Sequence, residues 1–154
     1  VIPTSNLSPG VKTNSNKNYK DERVAASFVL YPKPFGIQAE YTIGRGPEFD
    51  SSFDSIQVKT LHGGYITASL LKKVKGHFLI PFVRYQYFDG AKKHERDSRS
   101  YTVNELEIGT EWQANKNFEL VVNYTISKRR FEDFTKPINT QKGNLLRVQA
   151  QVNF

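Results

Sequence analysis

Three acidic residues that could perform acid–base chemistry share one parity within a short segment. Glu105 and Glu107 are two residues apart, and Glu111 follows them. Paired carboxylates catalyse proton transfer when their surroundings raise the pKa of one partner. Residues two apart on a strand point to the same side, and a wall that is open to water leaves both acids ionised. The spacing therefore favours a charged surface over a catalytic pair, and we expect no enzyme.

Other candidate sites are equally weak. His62, His77 and His94 lack the spacing of metal ligands, and the chain has no cysteine. The Gly-rich sequence at 44–47 lacks the Lys-Ser/Thr of a phosphate loop. We therefore predict neither a metal site nor a cofactor. The charged run KKHERDSR (92–99) contains two acids and no aromatic residue, which favours an extracellular loop near lipopolysaccharide phosphates over a nucleic-acid site.

The bulk composition limits how these side chains can be positioned. The 154 residues are 38% hydrophobic and carry a net charge of +7. No run of about 18 apolar residues exists, so a membrane-spanning helix is excluded. A membrane-spanning strand remains compatible, since half of its side chains face water and its hydropathy signal is weak. Because methionine is absent, we expect a mature form or a piece of a longer protein.

The alternation of apolar and polar side chains that indicates a strand is clearest in the segment 143–154. Apolar side chains occur at every second position from Leu146 to Phe154, and polar side chains separate them. Successive side chains of a strand point to opposite faces. The segment is therefore predicted to be a strand with one apolar face and one wet face.

The same alternation predicts about seven strands. They cover 23–31, 35–44, 59–71, 78–88, 103–113, 118–127 and 143–154. Gly63 and Gly64 suggest a bulge or a close backbone approach in the third strand. The connections alternate between short (32–34, 72–76, 114–117) and long (45–55, 89–100, 128–142), and residues 1–22 are predicted to form an extracellular loop. Outer-membrane barrels show this alternation of short turns and long loops.

The alternation also assigns faces, with lipid on the apolar side and water on the polar side. Pore-facing charges are predicted at Glu40, Arg84, Glu105, Glu107, Glu111, Glu119, Arg129 and Arg147. Neighbouring strands are expected to join some of them in Glu–Arg pairs. A lipid-facing set, including an aromatic girdle, is predicted at Phe35, Tyr41, Tyr85, Tyr87, Trp112, Phe118 and Tyr124.

Four segments of the chain resemble a known family. FGIQAEYTIGRGPEFD (35–50), PFVRYQYFDGAKK (81–93), ELEIGTEWQANKNFELVVNYT (105–125) and LRVQAQVNF (146–154) are similar to the C-terminal part of phosphate-selective porins O and P. The resemblance implies an all-β, antiparallel transmembrane barrel of sixteen strands, which forms a homotrimer in the outer membrane. This chain, as a single barrel segment, would supply about seven of the sixteen strands. It further implies that Val148, Ala150, Val152 and Phe154 form the signal read by the barrel assembly machinery.

The function expected is passive diffusion of small hydrophilic solutes through a general or weakly anion-favouring pore, because five of the eight predicted pore charges are acidic. A preference for phosphate is implied by the family resemblance alone, and no motif of the sequence supports it. Two alternatives remain open. A small soluble barrel that binds an apolar ligand would turn its apolar alternate residues inward. A structural outer-membrane barrel would differ in having no water path.

Overall fold

The computed structural model describes residues 19–50, 52–53, 55–91, 98–132 and 139–153. These residues form one antiparallel sheet. Its strands are β1 (Glu22–Leu30), β2 (Phe35–Asp50), β3 (Ser55–Leu70), β4 (Lys72–Val74), β5 (His77–Ala91), β6 (Ser100–Asn115), β7 (Phe118–Phe131) and β8 (Asn139–Val152). No helical stretch with the length and hydropathy of a membrane span is found among the described residues. The all-β, antiparallel prediction is confirmed.

The seven long strands lie in the order β1-β2-β3-β5-β6-β7-β8, and the short β4 pairs with β5 alone. Sequence neighbours are therefore spatial neighbours throughout the sheet. Within the described part of the chain, β1 and β8 do not pair with each other, so the sheet is open. One end of the sheet carries the tight turns near residues 32, 75 and 116 and is called the turn end. The opposite end, where β2, β5 and β7 finish, is called the loop end.

Most strands are longer than the alternation predicts, although β1 has the predicted nine residues. Three predicted loops (45–55, 89–100 and 128–142) are partly strand, because β2 continues to Asp50, β5 to Ala91 and β7 to Phe131, and β8 already begins at Asn139. Ladder hydrogen bonds need no apolar side chain, so pairing continues where alternation has stopped. Residues 1–18, most of the loop at 92–99 and Phe154 lie outside the described residues.

The connection predicted at 72–76 is a hairpin with only two turn residues. Lys72–Val74 pairs with His77–Leu79, which leaves Lys75 and Gly76 between the strands. Their φ angles are 50° and 90°. A two-residue turn of this kind matches the right-handed strand twist when both central residues have positive φ, which glycine adopts without strain.

The two glycines inside β3 mark a close approach and no bulge. The β2–β3 register runs without a shift from Phe35↔Leu70 to Asp50↔Ser55. A Cβ added at Gly64 would overlap the backbone carbonyl oxygen of Glu40. The sequence allowed either a bulge or a close backbone approach at these glycines, and the structure shows the close approach.

The apolar side chains at alternate positions are exposed across the middle of the sheet. On the central strands, Ile66 is 51% exposed, Val83 is 46% exposed and Ile108 is 50% exposed. The buried apolar side chains in the described ranges lie towards the loop end and are Phe49, Ile56, Leu61, Ala91 and Val103. A water-soluble protein would instead bury the apolar face of its central strands. This side of the sheet is called the apolar face. No described residue outside the sheet packs against it.

Substituting Gly64 tests the close approach of β2 and β3. We expect Gly64→Ala to lower the free energy of unfolding by about 1–3 kcal/mol, because the added methyl group displaces the paired backbone. Gly143→Ala is the matched control in β8, where no atom lies within 4 Å of an added Cβ. Urea unfolding of detergent-refolded protein measures both. Equal losses at the two positions would contradict the register given for β2 and β3.

Candidate functional site: the polar face of the sheet

The polar side chains meet on one face because the strand register aligns them. One row across the sheet runs from Glu40 through Tyr65, Gln86 and Glu105 to Ser127. The adjacent row contains Thr67, Arg84, Glu107 and Thr125. All eight predicted pore-facing residues have this parity. The side that contains these two rows is called the polar face.

Arg84 lies at the centre of the polar face. Its guanidinium stacks on the Tyr65 ring with 4.3 Å between the guanidinium carbon and the ring centroid. Nη2 donates to Oε1 of Gln86 at 3.3 Å. Nε is buried and has no hydrogen-bond partner among the described residues. Glu107 is directly opposite in register, yet no ion pair joins the two in the described structure. Arg84 therefore has a free donor and no direct ion pair, although its charge acts on the nearby Glu105 carboxylate.

Glu105 is held by neighbours on the next strand. Its Oε1 accepts from Nη2 of Arg129 at 2.7 Å and from the hydroxyl of Ser127 at 2.8 Å. This is one Glu–Arg contact of the kind expected between neighbouring strands. Glu107 accepts instead from the side-chain amide of Asn123, which is only 6% exposed. Both carboxylates are thus fixed by hydrogen bonds rather than arranged around a reactive atom.

Two open recesses lie on the polar face, and Arg84 contributes to both. The larger recess has a volume of about 480 Å³ and the smaller about 340 Å³. The predicted charges in the larger recess are Arg84, Glu105, Glu107, Arg129 and Arg147, and the smaller adds Glu40. Lys142 also borders the larger recess, so three arginines and one lysine face two glutamates there and make its potential positive. It can hold water and small ions.

Two predicted pore-facing residues lie apart from the recesses. Glu111 is near the turn end, where its Oε1 accepts from Nε2 of Gln113 at 2.5 Å. Glu119 pairs in register with Gln113. These carboxylates therefore contribute negative charge to the turn end of the polar face, away from Arg84.

Sequence reasoning missed three residues that shape the recesses: Tyr65, Gln86 and Asn123. Tyr65 lies beside the two glycines, where the suspected bulge left the faces of β3 unassigned. Gln86 and Asn123 are uncharged, and the prediction considered charges alone. Their alternation with Tyr85, Tyr87 and Tyr124 was the available signal, since each lies next to an outward aromatic residue.

All seven residues predicted to be lipid-facing lie on the apolar face, in two groups. Near the turn end, Phe35 is exposed and Trp112 contacts Phe118 and His77 with ring centroids 6.3 and 6.0 Å apart. Towards the loop end, the imidazole of His62 lies between Tyr41 and Tyr87, at 6.5 and 5.5 Å. Tyr85 and Tyr124 are exposed on the same face.

The predicted assembly signal lies on the apolar face of β8. Val148, Ala150 and Val152 are exposed there, and Phe154 lies outside the described residues. The turn end of β8 is fixed by the turn between β6 and β7, because Asn153 N–H donates to the Asn117 carbonyl at 2.8 Å. The side chain of Asn117 in turn donates to the carbonyl of Asn153 at 2.7 Å.

The loop end of the β2–β3 hairpin carries an ion-pair cluster beyond the apolar band. Lys59 Nζ lies 2.8 Å from Asp50 and 3.8 Å from Glu48. The hydrogen bond from Lys59 lowers the pKa of Asp50 below its ordinary value. Burial raises the pKa of Glu48 even though the charge of Lys59 acts in the opposite direction. Ionised Asp50 therefore stabilises the fold above about pH 3.8, and this contribution is lost as the pH falls through the lowered pKa.

Replacing Lys59 tests this cluster. In Lys59→Met we expect the pKa of Asp50 to rise towards its ordinary value and the pKa of Glu48 to rise further, because both carboxylates lose their neighbouring cation. The unfolding free energy of the variant should then depend less on pH below about pH 4 than that of the wild type. Carboxyl NMR titration and acid unfolding measure the two effects. Lys72→Met at the turn end is the control, and equal titrations in both variants would refute the pairing.

Among the described residues, no three His, Asp or Glu side chains are grouped as metal ligands. A family model described as phosphate-selective porin O and P matches residues 4–154 of the chain. No curated protein and no solved structure matches it.

Proposed function

Because the chain belongs to the phosphate-selective porin O and P family, whose members are channels and not enzymes, we propose that this sheet is part of the wall of an outer-membrane pore. Its polar face lines a water path through which small hydrophilic solutes diffuse passively. Its apolar face contacts lipid. The transport needs no cofactor.

The observation that carries the proposal is the exposure of the apolar face. Alternate residues from Phe35 to Ile43 are all apolar, and they extend about 27 Å along β2. A strand tilted by about 40° covers roughly 20 Å of membrane thickness with that length, close to the apolar band of outer-membrane barrels. The aromatic groups around Trp112 and His62 lie towards the two ends of this band, where amphipathic rings are favoured.

The open sheet requires further strands for this function. Unpaired backbone groups along β1 and β8 are costly in hydrocarbon, so a spanning sheet must close. We propose that other segments of a longer parent protein complete the barrel. The sixteen strands, the homotrimer and the reading of β8 by the barrel assembly machinery belong to the same proposal, and the similarity of the chain to the family supports them.

The charges that line the larger recess favour anions weakly, because Arg84, Arg129, Arg147 and Lys142 outnumber Glu105 and Glu107 there. The Glu105–Arg129 pair neutralises itself, and neither Arg84 nor Arg147 forms an ion pair with a described residue. The other predicted pore charges, Glu40, Glu111 and Glu119, are all acidic and oppose this effect. The resulting pore is a general diffusion channel with a mild preference for anions such as phosphate, set by the two arginines in the larger recess.

The exposed apolar face argues against a soluble binding module, which would enclose those side chains. The apolar recess beside Tyr41 and Tyr85 is an open surface feature of that same face. A structural barrel without a water path shares every feature of the lipid side. Conductance separates it from a pore.

Planar-bilayer recording of the intact parent protein tests the proposed function. We expect stepwise ion conductance at neutral pH after insertion. Insertion confirmed by protease protection without any conductance would leave the structural barrel as the better account.

Charge removal on the polar face tests the preference for anions. In Arg84→Gln or Arg147→Gln we expect the anion-to-cation permeability ratio to fall about twofold, because each substitution removes one unit charge from the water path. Arg45→Gln is the control, since Arg45 is exposed on the opposite face beyond Ile43. Reversal potentials in a salt gradient give the ratios. An equal change in the control would mean that these arginines do not set ion preference.

A further inference from the structure

A pair of lysines lies immediately beyond the apolar band on the lipid side of the sheet. Lys128 and Lys142 are directly opposite each other in the β7–β8 register. Both continue the parity of Ile126, Tyr124 and Leu146 and are exposed. This surface, named the rim lysine pair, therefore lies where the apolar face gives way to polar side chains at the loop end.

The rim lysine pair lacks an anionic partner in the described structure. Directly opposed side chains on neighbouring strands have Cβ atoms about 5 Å apart, where like charges repel and destabilise the pairing. Neither lysine forms an ion pair with a described residue, and the facing side chain on β6 is the neutral Asn104. Two nearby acids have other partners, because Glu132 binds Arg99 at 3.3 Å and Asp89 accepts from Tyr87 at 3.3 Å.

Arg130 extends the positive surface by one position. It has the same parity as Lys128, and its guanidinium is held by the hydroxyl groups of Thr102 and Ser100 at 2.9 and 3.1 Å. Those neutral acceptors fix the orientation of the guanidinium, whose charge also acts on the Glu48 carboxylate. Three cations thus border an exposed apolar surface at the end of the sheet that faces outwards in the proposed barrel.

From this arrangement we propose that Lys128, Lys142 and Arg130 bind the phosphate groups of a phosphorylated glycolipid of the outer leaflet, whose acyl chains lie on the apolar face. The inference depends on the proposed function for its orientation in the membrane. A phosphorylated lipid fits both the cationic rim and the apolar face beside it. Its phosphates offset the repulsion between the two lysines, and its acyl chains cover Ile126, Tyr124 and Leu146.

Native mass spectrometry of the intact parent protein tests the proposal with bis-phosphorylated lipid A as the probe. We expect Lys128→Gln/Lys142→Gln to weaken lipid A binding about thirtyfold, because two surface cations are lost. The matched control is Lys72→Gln/Lys73→Gln at the turn end, which should bind within about twofold of the wild type, because its lysines lie at the opposite end of the sheet. Lipid A without phosphates should bind both double variants and the wild type equally weakly.

Two further measurements, competition and conductance, identify the source of the phosphate and distinguish the glycolipid proposal from the pore proposal. Competition by millimolar inorganic phosphate as strong as that by lipid A would overturn the lipid assignment, as would equal binding by the rim and control variants. Conductance recorded in parallel should be unchanged in Lys128→Gln, because Lys128 has the parity of the apolar face and does not line the larger recess, whereas Lys142 borders that recess. Lysine-dependent lipid binding without conductance would refute the pore alone, and conductance with lysine-independent lipid binding would refute the glycolipid site alone.

Discussion

The structure depends on one constraint, which is that each strand separates its side chains by parity and the apolar set has no protein to pack against. In a soluble sheet, a second layer would cover that set. Here the apolar face stays exposed over the central part of every long strand, while the polar face carries the ion pairs, amide contacts and recesses. Hydrocarbon is the solvent that makes such a surface favourable, since it satisfies apolar side chains and demands a fully paired backbone.

The loop end lies beyond the apolar band and buries apolar side chains instead of exposing them. There the β2–β3 hairpin buries Phe49 and Ile56, and the guanidinium of Arg99 stacks on the Phe49 ring at 3.9 Å. The Phe49 N–H also donates to the carbonyl of Ser98 at 2.9 Å. This small buried cluster resembles the core of a water-soluble protein. The same hairpin thus changes along its length from an exposed apolar face to a buried apolar cluster, which agrees with the proposed position of the loop end outside the membrane.

The sequence predicts the central part of each strand and its face, because alternation is a direct consequence of having two different solvents on the two sides. It does not predict where strands end. Residues 45–50 contain glycine, proline and charges and were assigned to a loop, yet they continue β2 through the ladder to Asp50. In the proposed barrel, the alternation of side chains ends where the hydrocarbon ends, whereas backbone pairing continues into water. The contacts of Arg84 were also beyond prediction, since they depend on the register that brings Tyr65 beside it.

The face assignment is tested most directly by cysteine scanning along β7, which the absence of native cysteine makes possible. Single cysteines at positions 122 to 127 of the membrane-inserted parent protein would be exposed in turn to a charged, water-soluble thiol reagent and to a lipid-confined quencher of an attached fluorophore. We predict that cysteines at positions 125 and 127 react with the aqueous reagent, and that cysteines at positions 122, 124 and 126 are quenched from the lipid. The cysteine at position 123 should react more slowly, because the native Asn123 is only 6% exposed. Aqueous labelling of the second set, with quenching of the first, would contradict the account at its foundation.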